Sequence, residues 1–136
     1  MNLLQTPEYQ ALITEHISNT IGYLFSKQQQ FGVACEVKHL HFEPELPKEL
    51  KEGFNDTVLF ILSGYTLDSA ILEDDSFSFE AGFGPENFGS TVSMPLLAIR
   101  QILVGDNPIV LNLSRYEKPL EKPKVTSSKN SMEALL

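Results

Sequence analysis

The chain has 136 residues, of which 42% are hydrophobic and 21% are charged, a composition typical of a folded domain in water. Its apolar runs reach only about five residues, whereas a membrane-spanning helix needs about 20, so no membrane association is expected. The first ten residues lack the basic flank and apolar core of a secretory signal, and one cysteine cannot form an internal disulfide. A cytoplasmic location is therefore predicted.

Charge divides the chain into two parts. Residues 1–114 contain five Lys and Arg against 15 Asp and Glu, a net charge of −10. Because nucleic-acid affinity comes mainly from neutralising phosphates, this acidic body argues against nucleic-acid binding. Residues 116–136 have no hydrophobic periodicity and are rich in Pro, Ser and Lys, so we predict a folded domain over 1–115 and a disordered tail over 116–136.

The first predicted element is a helix that begins at Thr6-Pro7-Glu8, where a capping hydroxyl, a first-turn proline and an acid follow one another. It runs for about 23 residues and ends at Phe31-Gly32, with glycine as a left-handed cap. Its apolar side chains fall on one face. This face either packs on the rest of the domain or pairs with a second copy of the chain, and the sequence favours neither.

Five or six short strands are predicted to follow. Period-two or continuous apolar patterns indicate strands over Val33–Phe42, Thr57–Leu62, Tyr65–Leu72, 77–83, 91–94 and Ile109–Leu113. The apolar face switches sides within the first of them, which suggests a bulge or bend, and Thr57–Leu62 reads as buried on both faces. A helical turn is expected at Lys48–Lys51 and a helix from Pro95 to about Val104. The fold class is thus α+β, mainly β: a strongly bent antiparallel sheet or open barrel.

Two groups of residues could carry chemistry. His39, His41 and Glu43 lie two apart and would face one side of a strand, but a fourth zinc partner is not apparent. Cys35 lies in an apolar alternation, where a buried inert cysteine is the usual interpretation. We therefore predict no catalytic residues, no metal and no cofactor, and the chain is interpreted as a binding module rather than an enzyme.

The hairpin around Ala81 suggests what is bound. Phe79, Ala81 and Phe83 lie on the same face of the predicted strand, and the small alanine leaves a shallow trough between two bulky rings. An extended peptide could lie in such a trough. The nearby glycines do not indicate a phosphate loop, because they join two strands and no lysine accompanies them.

Two motifs and their order resemble those of the stringent starvation protein B family, bacterial adaptors that deliver ssrA-tagged polypeptides to the ClpX–ClpP protease. FSFEAGFG at residues 77–84 is similar to the family's V-x-F-x-A-x-F-G strand, and VSMPLLAIRQI at residues 92–102 to its V-S-V-P-x-x-A-V/I-x-x-I element. The leading helix, the proline-containing connection and the apolar strand at 58–62 come in the same order. The resemblance covers roughly residues 6–114.

The resemblance implies an Sm-like barrel that dimerises through its N-terminal helix and holds a degradation-tag peptide in a groove. By position, Ala81 matches the groove floor, with Phe79 and Phe83 on the same strand. Leu62, Ser63 and Tyr65 match the segments that border the groove. The apolar end of the tail, Met132, Leu135 and Leu136, would tether the adaptor to ClpX.

Two other functions remain open at this point. An Sm-like barrel is also compatible with an RNA-binding module, although the acidic body argues against it. A small metal-binding protein that uses His39 and His41 is the third possibility.

Overall fold

The computed structural model describes residues 2–119, an α+β fold that consists mostly of two four-stranded antiparallel sheets behind a long N-terminal helix. The helices are α1 (Pro7–Ser26), α2 (Lys48–Glu52) and α3 (Gly64–Ser69). The strands are β1 (Phe31–Glu36), β2 (His41–Glu43), β3 (Thr57–Leu62), β4 (Ile71–Leu72), β5 (Ser76–Phe83), β6 (Phe88–Pro95), β7 (Ile99–Val104) and β8 (Asn107–Leu111).

The start of α1 is confirmed, and its predicted end is wrong. The Thr6 hydroxyl accepts a hydrogen bond from the Tyr9 N–H at 3.2 Å, and proline occupies the first turn. The helix ends at Ser26, and the residue with positive φ after it is Gln28 rather than Gly32. Gly32 instead lies in β1, because the buried side chain of Phe31 begins a strand that pairs with β3.

The core lies where the two sheets and α1 meet. The first sheet has the strand order β3-β1-β7-β8 and the second β2-β6-β5-β4. Phe60 of β3 and Phe79 of β5 pack with ring centroids 5.1 Å apart, and Cys35 Sγ lies 3.4 Å from Met94 Sδ, so side chains of both sheets interdigitate. From the helix, α1 contributes four buried side chains at helical spacing: Ile13, Ile17, Ile21 and Leu24.

The predicted strand over Val33–Phe42 is two strands in different sheets. A 3-10 turn at Val37–His39 ends β1 and leads the chain into β2. The switch of apolar face in the sequence marks this change of sheet, so the predicted interruption is confirmed although its form is a turn.

Two further elements differ in type from the prediction. Tyr65–Leu72 is helix α3 followed by the two-residue β4, and Pro95–Val104 is a 3-10 turn followed by β7. The apparent helical spacing of Ile99 and Ile102 has a specific cause. The register between β1 and β7 shifts at Ala34/Cys35, so Arg100 is an extra residue and the two buried isoleucines stand three apart instead of two.

The strand Thr57–Leu62 has the predicted bounds but not the predicted burial. It lies at the edge of its sheet, and Leu59 and Ile61 are exposed on its outer face. The last strand ends at Leu111 rather than Leu113, and the helical turn predicted at Lys48–Lys51 is confirmed as α2.

No helix within residues 2–119 combines the length and the apolar character that crossing a membrane requires. Residues 116–119 lie in neither helix nor strand. Most of the predicted tail, including Met132, Leu135 and Leu136, falls outside the described residues.

Candidate functional site

A groove of about 630 Å³ lies over the hairpin of β5 and β6 and is bordered by β2 and α3. We call it the β5–β6 groove. Its volume falls within the range of small-molecule and peptide-side-chain sites. Its lining includes Glu43, Tyr65, Glu80, Ala81, Gly89 and Thr91.

The floor of the groove is the outward face of the hairpin. Phe77 and Phe79 point into the core, so by strand alternation Glu80 and Gly82 face outward. Gly82 stands opposite Gly89, and the two glycines differ: the Asn87 side chain lies over Gly82, where an added Cβ would clash with its Oδ1. A Cβ atom added at Gly89 would meet no heavy atom within 4 Å, so the glycine opens space that the fold itself does not use.

One edge of β5 is open beside this floor. The short β4 pairs only with Phe77 and Ser78, so β5 has no neighbouring strand on that side from Phe79 onward within the described residues. The Glu80 N–H donates instead to the Ser69 hydroxyl at 2.8 Å. Because main-chain groups alternate in direction along a strand, the N–H and C=O of Gly82 also point to this edge. Since Ser69 already occupies the Glu80 N–H, the main-chain groups on this edge that an extended chain could pair with are the Glu80 C=O and the N–H and C=O of Gly82.

Helix α3 forms one wall of the groove. Tyr65 is exposed, and its hydroxyl donates a hydrogen bond to Glu80 Oε1. This bond and the negative charge of Glu80 raise the pKa of the Tyr65 hydroxyl. The helix follows Ser63 and begins at Gly64, whose φ of 52° is in the left-handed region that favours glycine.

The predicted site residues divide between the groove and the core. Ala81 and Tyr65 line the groove, and Ser63 lies at the start of the wall helix. The side chains of Leu62 and Phe79 are buried in the core and are not among the residues that line the β5–β6 groove.

The prediction that a peptide lies in a trough between Phe79 and Phe83 is wrong, because that face of β5 packs inward. Phe83 packs edge-on against three other rings, those of Phe42, Phe54 and Phe60. The side chain of Ala81 lies on this same face, packed against the core, so by strand alternation Ala81 borders the groove through its main chain.

The residues that give the groove its character are Glu43, Glu80, Gly89 and Thr91. The sequence-based prediction placed none of the four in the groove and considered Glu43 only as a zinc ligand. The outward direction of Glu80 was available from the alternation with Phe79. The sequence does not show that Glu43 lies beside the hairpin, because its position depends on the pairing of β2 with β6 across a separation of about fifty residues.

The other candidate residues do not form a site. His41 and Glu43 are exposed on β2, whereas His39 lies in the 3-10 turn, with its ring 4.8 Å from that of Tyr116. Across residues 2–119, no three His, Cys, Asp or Glu side chains are placed to hold a metal ion together. Cys35 is fully buried, and burial raises the pKa of its thiol, which suits the inert interpretation.

No protein-family model and no curated protein matches this chain.

Proposed function

We propose that the protein is a non-enzymatic, Sm-like adaptor that binds ssrA-type tag peptides in the β5–β6 groove and delivers tagged proteins to the ClpX–ClpP protease in the cytoplasm. The observation that carries the proposal is the open edge of β5 beside a glycine floor. An extended peptide at such an edge gains affinity from main-chain hydrogen bonds. Its alternate side chains gain specificity from the groove walls, here Tyr65 and Glu80 on one side and Glu43 on the other.

Delivery would depend on the C-terminal tail. In this proposal, Met132, Leu135 and Leu136 dock on ClpX, while the tagged substrate stays in the groove. Two weak contacts joined in one chain raise the effective concentration of substrate at the protease, so neither contact has to be strong.

A homodimer that forms through α1 would carry two grooves and two tails, and would therefore strengthen this gain in effective concentration. Leu12 and Tyr23 are 61% and 62% exposed on α1, and their separation of eleven residues, about three turns, places them on the same outward stripe. This stripe is the surface that we propose for pairing. A Leu12→Asp variant that sediments as a monomer, beside a dimeric wild type, would support it, and two identical sedimentation profiles would count against it.

RNA binding is a weaker candidate because of charge. Two carboxylates, those of Glu43 and Glu80, lie in the groove, and residues 1–114 carry a net charge of −10. Both would repel phosphates. A metal-dependent role is weaker still, because His39 lies in a turn away from the exposed face of β2.

Fluorescence anisotropy of a labelled ssrA-tag peptide, titrated with the purified full-length protein, tests the proposal. Saturable binding with a Kd of about 10 μM or below, competed by unlabelled peptide, is the expected result. A labelled RNA of similar length is the matched control and should not bind at physiological salt. An absence of tag binding up to about 100 μM would remove the adaptor function.

A further inference from the structure

Glu43, Thr91 and Glu80 form one row across three adjacent strands. Thr91 of β6 is the register partner of Glu43 in β2 and also of Glu80 in β5. Register partners in a sheet point to the same face, so all three side chains stand on the outward face that floors the groove. Since neighbouring strands lie about 4.8 Å apart, the two glutamates flank the threonine with their Cα atoms about 10 Å from each other.

This row gives the groove a negative character that no neighbouring cation offsets. The residues that line the groove include Glu43 and Glu80 but no Lys, Arg or His. Within residues 2–119, neither carboxylate has a cationic group within 4 Å, and the Glu80 carboxylate accepts a hydrogen bond from the neutral Tyr65 hydroxyl. The nearby lysines of α2 are engaged elsewhere: Lys51 with Glu45 at 2.8 Å and Lys48 with Glu52 at 3.8 Å.

We propose that the groove selects peptides with a basic side chain, lysine or arginine, which lies over Thr91 between the carboxylates of Glu43 and Glu80. The inference rests on the proposed peptide-binding function and adds the chemical class of the peptide. A peptide paired with the edge of β5 lies about 4.8 Å beyond that strand and sends alternate side chains over the outward face of the sheet. A long basic side chain at such a position passes Glu80 and reaches the midpoint of the row over Thr91. The hydroxyl of Thr91 supplies a further acceptor beneath it. An acidic side chain at the same position meets two like charges.

A metal ion is the other cation that two carboxylates could bind, and it does not fit this row of residues. A divalent cation takes about six to eight oxygen ligands, whereas the row offers two carboxylates and one hydroxyl, and within residues 2–119 no third His, Cys, Asp or Glu is placed to complete a site. A basic side chain needs fewer partners, because its charge is satisfied by charge-assisted hydrogen bonds to one or two carboxylates.

Peptides that differ by one charge test the inference. Three labelled series are made from one tag-length sequence, with a single Lys, Gln or Glu moved through successive positions, and the Kd of each is measured with the full-length protein at low and at physiological salt. At the position that lies over Thr91, the Lys peptide is expected to bind about fivefold more tightly than the Gln peptide, a size typical of exposed ion pairs. The Glu peptide is expected to bind more weakly than both, and the difference should shrink as salt increases.

Substitutions of the two glutamates test whether their carboxylates cause the preference for a basic side chain. Glu43→Gln and Glu80→Gln together should make the Lys and Gln peptides bind equally, while Glu15→Gln, which removes an exposed carboxylate from α1, should leave the preference unchanged. Equal binding of the three peptide series to the wild type would overturn the charge preference alone, because peptide binding would persist. A preference that survives in the double variant would also overturn it. Failure of every peptide to bind would instead overturn the peptide-binding function itself.

Discussion

Asn112 joins the end of β8 to the start of β7, because its Nδ2 donates a hydrogen bond to the carbonyl oxygen of Ile99 at 2.9 Å. The same amide also donates to the Leu97 carbonyl at 3.0 Å, and its Oδ1 accepts from the Ser114 N–H at 2.9 Å. The side chain is 1% exposed. One buried amide thus satisfies three main-chain groups where the 3-10 turn, β7 and the segment after β8 come together.

Asn112→Leu should therefore destabilise the fold strongly. Leucine has a similar size but leaves three buried main-chain groups without their partner, each worth about 1 kcal/mol. We expect the free energy of unfolding to fall by about 2–4 kcal/mol in urea titrations followed by circular dichroism. The control is Asn107→Leu, at the exposed start of β8, which should change it by about 0.5 kcal/mol or less. Equal effects of both variants would show that the three hydrogen bonds do not stabilise this corner.

Gly89→Val should fill the β5–β6 groove without disturbing the fold. The Cβ position of Gly89 is open, and valine is favourable in strands, so the melting temperature should stay the same or rise. A side chain on the floor occupies the space that a bound peptide needs, so tag affinity should fall about tenfold, or about 1.4 kcal/mol. Anisotropy titrations measure the affinity and thermal unfolding measures the fold. Unchanged affinity in a folded variant would place the peptide elsewhere.

The sequence predicted those elements whose pattern is local. The Thr6 cap, the bounds of β3 and the turn at α2 each depend on residues that are neighbours in the chain, and each is found. The helix predicted over Pro95–Val104 failed because the bulge at Arg100 puts Ile99 and Ile102 three residues apart, a spacing that also describes a helix.

The candidate site was predicted only in part, for a similar reason. The hairpin and Ala81 were visible as an alternating pattern, whereas the face that carries the groove depends on which side of β5 the core covers. The pattern of Phe79 and Phe83 indicates one apolar face. It does not indicate that this face is buried and that the ligand must therefore use the other one.

Cys35 should be unreactive in the native protein. It is fully buried and burial raises the pKa of its thiol, so both access and thiolate formation are unfavourable. A stable domain opens at a cost of about 5 kcal/mol or more, so alkylation should be at least about a thousandfold slower than in the unfolded chain. Mass spectrometry after iodoacetamide treatment, with and without urea, gives the two rates. Fast labelling in native buffer would mean that β1 opens locally.

Deletion of residues 131–136 should separate binding from delivery. The folded body and the β5–β6 groove are retained, so the Kd for the tag peptide should not change. If Met132, Leu135 and Leu136 dock on ClpX, degradation of a tagged reporter should slow, most clearly at low substrate concentration where effective concentration matters. Replacement of the same six residues by Gly and Ser is the length-matched control and should behave like the deletion. Equal degradation with and without the segment would remove the docking role.

His39 should make stability depend on pH in a defined window. Its Nε2 is buried without a hydrogen-bond partner among the described residues, and burial lowers the pKa of the imidazole, an effect that the charge of Glu36 partly opposes. The folded state therefore prefers neutral histidine, whereas the unfolded chain takes up a proton near pH 6.5, about the ordinary value. Because the unfolded state binds more protons there, the free energy of unfolding should be highest above about pH 7.5 and fall as the pH decreases through about 6.5. His39→Asn should flatten this part of the profile in urea titrations between about pH 5.5 and 7.5, while His16→Asn, an exposed position on α1, should keep it. A profile that is the same in all three proteins would show that His39 is not the group that titrates.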